Sequence, residues 1–185
     1  MKKLTVFVGV PLLLIIIAGT ALYNTAGGQD FLFERLAKIG TSQKAIDPEG
    51  LNVIVCGSAS PLGNDPDRAQ ACIAVVTPEH FFLFDIGARA PLRIAQGRLP
   101  VARLNGIFLT HFHSDHIAGV PSVNMTSWIQ GRDSELKVYG PQGVETVVSG
   151  FNTAYQLDKT YRTAHHGADL LPAATAAMNP ITLTP

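Results

Sequence analysis

This sequence of 185 residues contains little cysteine and little charge. Its two cysteines are too few for a small scaffold built from disulfides or for a zinc site made of four thiolates. Charged residues make up 15% of the chain and hydrophobic residues 46%, which argues against a disordered acidic or basic tail. Lys and Arg together number 14, as do Asp and Glu, so the formal net charge is +0. Because nucleic-acid scaffolds carry an excess of positive charge, this balance argues against nucleic acid as a partner.

One long apolar run stands at the N-terminus. Residues 4–22 carry no charged side chain, and they follow the positive pair Lys2 and Lys3. A run of roughly 20 residues is long enough to cross a membrane as a helix. The segment 1–28 is therefore predicted to be an uncleaved signal-anchor or a cleaved signal peptide, with a buried core helix as a third interpretation. The positive-inside tendency places the rest of the protein on the periplasmic side, either membrane-anchored through this helix or secreted.

Two further segments follow the apolar run. Residues 29–50 are predicted to form a juxtamembrane linker, in which residues 30–39 have the pattern of a short amphipathic helix. Residues 51–185 are predicted to form the folded domain. Its tail, residues 170–185, ends at the opening of a further element and shows no pattern of a closing strand.

The domain alternates short apolar runs with segments of helical periodicity, which favours a layered α/β fold. Strands are expected at 52–56, 71–76, 81–84, 106–110 and 136–139, and helices at 90–96 and 143–157.

Four side chains that bind metal ions lie within six positions after the strand expected at 106–110: His111, His113, Asp115 and His116. Alternate residues of an extended segment point to one side, so His111 and His113 are expected to face together. Asp115 and His116 lie where the chain turns into a helix, and they are expected to face a second point a few ångströms away. Imidazole nitrogens with a carboxylate favour zinc, with iron or manganese when oxygen ligands join. The pattern therefore predicts two divalent metal ions that hold a bridging hydroxide.

This His-x-His-x-Asp-His motif resembles the signature of the metallo-β-lactamase superfamily of hydrolases. Asp85, in the sequence Asp-Ile-Gly, is similar to the upstream Asp-x-Gly of that superfamily. Residues 57–61 (Gly-Ser-Ala-Ser-Pro), with Arg68 beyond them, are similar to the opening loop of its tRNase Z-like and arylsulfatase-like branch. The resemblance extends over residues 51–167.

The resemblance implies an αββα sandwich, of which this chain holds only the N-terminal half. It implies that His111 and His113 bind the first metal ion, and that Asp115 and His116 bind the second. Asp115 is also implied to be catalytic, because it would orient the attacking hydroxide as its proton acceptor. Asp85 is implied to support the ligands from behind. The superfamily completes its site with a further His, a bridging Asp and a final His from the second half of the fold.

Three residues downstream of the motif are candidates for those missing ligands: His165, His166 and Asp169. For the two histidines a helix-terminal role or a pocket contact is the favoured interpretation, because histidine suits the negative end of a helix. Half a binuclear site would bind metal weakly, because zinc sites normally need at least three protein ligands. Half a sandwich would also leave one face of its sheet exposed.

The expected function is that of an exported metal-dependent hydrolase whose metal-bound hydroxide attacks an ester or phosphodiester-type bond, with a small molecule or another ester or phosphodiester as its substrate. Export also argues against RNA as the substrate, because RNA substrates are cytoplasmic and polyanionic. A non-catalytic, membrane-tethered binding module derived from the hydrolase fold is the alternative. A homo-oligomer that assembles two half-sites is a third interpretation.

Cys56 and Cys72 lie on neighbouring expected strands. In an exported protein a disulfide between them would contribute about 3 kcal/mol on the loop-entropy model. Two buried free thiols are the alternative.

Overall fold

The structure is a computed structural model that describes residues 17–41, 49–62, 65 and 67–184. The chain divides into two compact units, Met1–Lys44 and Ala45–Pro185. In the first unit, residues 17–24 are helical and helix α1 follows at Ala26–Thr41. Thr25 caps this helix, because its hydroxyl oxygen accepts a hydrogen bond from the backbone N–H of Gly28 at 3.1 Å. The amphipathic helix expected at 30–39 is therefore part of a longer helix.

The membrane-spanning run expected at residues 4–22 lies mainly outside the described residues, which begin at residue 17. The same holds for most of the signal segment 1–28. Within the described ranges, no helix is both long enough and apolar enough to cross a membrane.

The second unit is built on one six-stranded sheet whose strand order follows the chain. Strands β1 to β3 pair antiparallel, and strands β3 to β6 pair parallel. The antiparallel pairing of β2 with β3 follows from the short turn at 77–80, whereas parallel neighbours need longer crossover connections. The strands are β1 (Asn52–Gly57), β2 (Cys72–Val76), β3 (Phe81–Phe84), β4 (Leu104–Phe108), β5 (Leu136–Gly140) and β6 (Met178–Thr182).

Helices cover one face of this sheet. Buried side chains of α2, α4 and α5 share a hydrophobic cluster with alternate strand residues such as Phe81, Leu83 and Ile107, which are fully buried. Because successive strand residues point to opposite faces, this cluster defines the covered face of the sheet. The helices described in this unit are α2 (Ala90–Gln96), α3 (Ser114–Ile117), α4 (Val120–Ile129), α5 (Val144–Ala154) and α6 (Gln156–His166).

The opposite face of the sheet, here called the bare face, is apolar and exposed in the described residues. Val53 and Val55 of β1 are 63% and 66% exposed. A row of aromatic rings crosses the next strands, with centroids 5.0 Å apart between Phe84 and Phe108 and 4.5 Å apart between Phe108 and Tyr139. The exposed sheet face expected for half a sandwich is therefore found in this part of the chain.

Two elements differ from the expected ones by more than a single residue. Strand β4 ends at Phe108 rather than at residue 110, because the backbone N–H and the hydroxyl of Thr110 both turn to Asp85. The helix expected at 143–157 is divided at Tyr155, whose ring packs against the small buried cluster around Trp128. Tertiary contacts override the continuous helical pattern at this point.

Strand β6 was not expected from the sequence of the tail. It pairs parallel with β5, with Met178 opposite Leu136 and Thr182 opposite Gly140. Pro180 argues against a strand in the sequence, because proline lacks the N–H that a regular strand donates. Proline is tolerated in a strand at the edge of a sheet. As the last strand in the order, β6 occupies such an edge of the described sheet.

A buried polar network ties the tail to helix α4. The guanidinium of Arg132, only 4% exposed, donates to Asn124 Oδ1 at 2.8 Å, to Ser127 Oγ at 3.0 Å and to the carbonyl oxygen of Thr175 at 3.0 Å. Asn124 Nδ2 in turn donates to the carbonyl oxygen of Ala176 at 3.0 Å. Burial lowers the pKa of Arg132 to about 10. The network fixes the chain that leads into β6.

Cys56 and Cys72 form a disulfide that links β1 to β2. Both residues are buried in the main hydrophobic cluster. Of the two alternatives that the sequence left open, the structure therefore has the disulfide and not two free thiols.

Candidate metal centre

The metal-binding motif lies at the carboxyl end of the parallel strands. Strands β3 and β4 are parallel neighbours, and the ladder continues past β3 because the N–H of Asp85 donates to the carbonyl oxygen of Phe108 at 2.9 Å. Asp85 follows β3 and the motif follows β4, so the two segments meet at the carboxyl ends of these strands. Ligand sites of open α/β sheets form beyond the carboxyl ends of their strands.

His111 and His113 lie on the extended segment between β4 and α3. Their nearest ring nitrogens, Nε2 of His111 and Nδ1 of His113, are 3.0 Å apart. The two rings meet edge to face with centroids 4.6 Å apart, and the ring of His111 lies 4.1 Å from that of His116. The structure thus brings the three motif histidines together, as their spacing predicts. We call His111 and His113 the outer pair.

Asp115 and His116 lie on the short helix α3. Asp115 is only 8% exposed, and its Oδ2 lies 3.4 Å from Nε2 of His116. We call these two residues the inner pair. His116 keeps its other ring nitrogen, Nδ1, 2.8 Å from Oδ2 of Asp85.

Asp85 supports the motif from behind through both of its carboxylate oxygens. Its Oδ1 accepts from the backbone N–H of Thr110 at 2.9 Å, and its Oδ2 accepts from the Thr110 hydroxyl at 2.8 Å as well as facing His116. The residue is 7% exposed and has a left-handed backbone with φ of 52°. Aspartate tolerates that conformation better than most residues other than glycine.

Backbone contacts fasten α3 to the chain that follows β3. The N–H of Ile86 donates to the carbonyl oxygen of His116 at 2.7 Å, and the N–H of Gly119 donates to that of Ile86 at 2.8 Å. A Cβ atom at Gly87 would lie 2.1 Å from the carbonyl oxygen of Asp115. Only glycine permits this approach, so the Asp-Ile-Gly sequence positions the inner pair by its shape as well as by its charge.

The two pairs fit divalent zinc in their donor types and in their separations. With Zn–N bonds of about 2.05 Å and a tetrahedral angle, two ligand atoms on one ion lie about 3.3 Å apart. The observed separations of 3.0 Å and 3.4 Å are within a few tenths of an ångström of that value. In the described residues, however, no group of three or more His, Cys, Asp or Glu side chains is arranged to hold a metal ion. Within the described residues, the close donor contacts of the motif are thus pairwise.

The structure does not bring the downstream candidates to the motif. His165 and His166 are exposed at the end of α6, and their rings contact each other with centroids 4.6 Å apart. Asp169 lies in the exposed chain beyond the helix. Within the described residues, neither histidine forms a hydrogen bond or ring contact with the motif. Their position agrees with the helix-terminal interpretation.

Two residues of the site were not singled out by the sequence. The sequence pattern indicates Thr110 only as the end of a strand, yet its hydroxyl contacts both Asp85 and His111. The sequence places Gly87 in the Asp-x-Gly motif but does not predict its close approach to the backbone of Asp115. The available signal was the polar Thr110 at the end of an otherwise apolar strand.

An open cavity of about 400 Å³ borders the motif. Ser58 and Ala59 of the opening loop line it, together with Phe84, Asp85 and Thr110. The loop that resembles the tRNase Z-like branch is thus next to the metal-binding motif and to the bare face of the sheet.

Comparisons with known proteins agree on the family of this domain. A sequence model of the family described as "Anti-Pycsar protein Apyc1" matches residues 51–149. A protein named Ribonuclease Z from Mycobacterium marinum is 37% identical over 123 residues, which cover 65% of this chain and 43% of the relative. This chain therefore spans less than half the length of that curated relative.

Solved structures show the same fold. The short form of human tRNase Z superposes with a TM-score of 0.54 at 22% identity, covering 72% of this chain and 46% of that protein. The metallo-β-lactamase fold protein YhfI from Bacillus subtilis gives 0.52 at 17% identity, covering 75% and 47%. The fold resemblance inferred from the sequence is confirmed as a mixed α/β fold of the metallo-β-lactamase type. The name Ribonuclease Z does not fit well with the expectation that nucleic acid is not a partner.

Proposed function

This chain belongs to the family described as Anti-Pycsar protein Apyc1, in the tRNase Z-like branch of the metallo-β-lactamase superfamily, and we propose that it is part of a metal-dependent phosphodiester or ester hydrolase. The observation that carries this proposal is the arrangement around Asp85. One buried carboxylate holds His116 and Thr110, and the two ligand pairs lie against each other with donor separations suited to metal ions. Ligating histidines are typically oriented by such a carboxylate.

The residues of the motif would have two roles in such a site, metal binding and proton acceptance. His111 and His113 would hold one divalent ion, and Asp115 and His116 would hold a second, with zinc favoured by the donor types and iron or manganese also suited. When bound, such ions supply activated water and polarise the bond that is cleaved. The carboxylate of Asp115 orients the attacking water and accepts its proton. Its low exposure keeps it fixed at the motif.

The substrate class is a phosphodiester first and a simpler ester second. Relatives that carry the name Ribonuclease act, by that name, on a phosphodiester backbone. The balanced charge of this chain favours a small molecule, since long polyanions are normally held by excess positive charge. The test therefore includes a small phosphodiester and an RNA.

Export is part of the same proposal. It is supported by the apolar run 4–22 after Lys2 and Lys3, and by the disulfide between Cys56 and Cys72, since disulfides persist outside the reducing cytoplasm. Protease accessibility of the domain in intact spheroplasts measures it. A domain that is protected inside the cytoplasm, with both thiols reduced, contradicts export.

The hydrolase proposal is tested in the full-length protein with Asp115→Ala. We expect hydrolysis of bis(4-nitrophenyl) phosphate by the zinc-loaded protein to fall at least about 100-fold, because the proton acceptor and one ligand are removed together. Asp158→Ala is the matched control: Asp158 pairs with Arg162 at 3.0 Å on helix α6, away from the motif. Its loss is expected to leave hydrolysis unchanged.

The same assay includes 4-nitrophenyl acetate and a short RNA. Hydrolysis of the RNA alone would keep the phosphodiester chemistry and make RNA the substrate. Hydrolysis of none of the three, by protein shown to carry zinc, would overturn the proposal and favour the binding module.

A further inference from the structure

The hydroxyl of Thr110 lies between Asp85 and the outer pair. Its oxygen is 2.8 Å from Oδ2 of Asp85 and 3.0 Å from Nδ1 of His111. Asp85 Oδ2 is also the partner of His116 Nδ1. One carboxylate oxygen therefore touches His116 directly and His111 through a single hydroxyl.

Counting hydrogens fixes the direction of these bonds. A threonine hydroxyl has one hydrogen to donate, and an ionised carboxylate accepts hydrogen bonds but donates none. The hydrogen of Thr110 therefore goes to Asp85, and the hydroxyl oxygen must accept from His111. That bond requires a proton on Nδ1 of His111, which leaves the lone pair on Nε2.

We propose that Thr110 is a positioning residue that extends the influence of Asp85 to His111, so that one carboxylate sets the tautomers of histidines in both ligand pairs. This inference rests on the proposed metal-binding roles. His116 donates from Nδ1 to Asp85 and keeps its Nε2 lone pair, and His111 does the same through Thr110. Both histidines then present Nε2 as the metal ligand without rearrangement.

The test reads imidazole tautomers by ¹⁵N NMR in the metal-free full-length protein. We expect wild-type His111 to carry its proton on Nδ1, and Thr110→Val to convert it wholly or largely to the Nε2–H form. Thr110→Ser keeps the hydroxyl and is expected to restore the wild-type tautomer. Thr153→Val is the matched control, because it removes a threonine hydroxyl that bonds only within helix α5, to the carbonyl oxygen of Ser149 at 2.9 Å.

A merely structural role of Thr110 would not move the tautomer selectively. An unchanged backbone spectrum outside residues 84–87 and 108–117 shows that each variant is folded. The inference is overturned if His111 carries its proton on Nε2 in the wild type, if Thr110→Val leaves the tautomer on Nδ1, or if Thr110→Ser behaves as Thr110→Val.

Zinc affinity, measured by competition with a chromophoric chelator, separates this inference from the proposed function. Thr110→Val is expected to weaken zinc binding roughly 10- to 100-fold, the usual effect of removing a partner of a ligating histidine, while Thr110→Ser stays near the wild type. A wild-type protein that shows the expected tautomers but binds no zinc would overturn the proposed function and leave the tautomer control intact. Unchanged zinc affinity in Thr110→Val would overturn the role of Thr110 toward the metal.

Discussion

The inner and outer ligand pairs of the motif are held in different ways. Asp115 is nearly buried, and His116 is bonded to Asp85 through its ring and to Ile86 through its carbonyl oxygen. His113 is exposed, and its recorded ring contacts are with His111. The inner pair is thus fixed by a carboxylate and a backbone ladder, whereas the outer pair depends on Thr110 and on itself.

The two pairs are therefore expected to lose different amounts of conformational freedom when a metal ion binds. A site whose ligands are already fixed loses little conformational freedom on binding, and one whose ligands are mobile loses more. The inner pair is therefore expected to take up a metal ion with little rearrangement. The outer pair is expected to become ordered only as its ion binds.

Asp85→Ala should abolish the difference and give the largest effect. It removes the acceptor for His116 and for both donors of Thr110, so each pair loses its support. We expect zinc affinity to fall about 100-fold at both pairs, measured by competition titration. Asp158→Ala removes an exposed carboxylate of an ion pair on α6 and is expected to change nothing at the motif. Loss at the inner pair alone would show that Thr110 does not connect Asp85 to the outer pair.

Gly87→Ala should disturb the inner pair selectively. The added Cβ would lie 2.1 Å from the carbonyl oxygen of Asp115, so α3 must move away. We expect the free energy of unfolding to fall by about 1–3 kcal/mol, the usual range for overpacking, and zinc binding at the inner pair to weaken. Urea denaturation and zinc titration measure the two effects.

The matched control for that change is Gly150→Ala. Gly150 lies within helix α5, and a Cβ there would meet nothing within 4 Å. Alanine should stabilise that helix by up to about 1 kcal/mol. Equal destabilisation by both substitutions would contradict a special role for Gly87.

The smallest expected effect is the difference in unfolding free energy between His116→Ala and His113→Ala. It compares one histidine of the inner pair with one of the outer pair. Removing His116 leaves a buried oxygen of Asp85 without one donor, which should cost about 1–3 kcal/mol of unfolding free energy in the metal-free protein. Removing the exposed His113 should change it by less than about 0.5 kcal/mol. Urea denaturation in the presence of a chelator measures both. Equal losses would mean that the two pairs are held alike.

The motif can be read from the sequence because its chemistry is contiguous. His111, His113, Asp115 and His116 lie within six positions, and the local change from strand to helix brings them close to one another. The contacts that hold the inner pair in place come from the distant segment 85–87. The supporting role of Asp85 was predicted only through the family resemblance. Because 25 residues separate Asp85 from Thr110, no local pattern places it next to the motif.

Features that depend on distant partners were not predicted. Thr110 continues an apolar strand pattern in the sequence, and only its bonds to Asp85 reveal that it lies beyond the end of β4. Strand β6 contains Pro180 and is stabilised by its pairing with β5, while Arg132 and Asn124 on the chain before β5 fix the approach to it. Tyr155 interrupts a helical periodicity because its ring packs against a separate cluster. In each case a long-range contact outweighs local propensity.

The agreement between strand order and chain order has a consequence for synthesis. Each strand from β2 to β6 pairs with the strand made immediately before it. A nascent chain can therefore add strands one at a time to a sheet that already exists, without waiting for a distant segment to leave the ribosome. Each step closes only the single connection between two successive strands, and the parallel crossovers are the longest and therefore the slowest of these closures. The His-x-His-x-Asp-His motif is made directly after β4, so the segment that carries Asp85 has already been synthesised when the motif emerges.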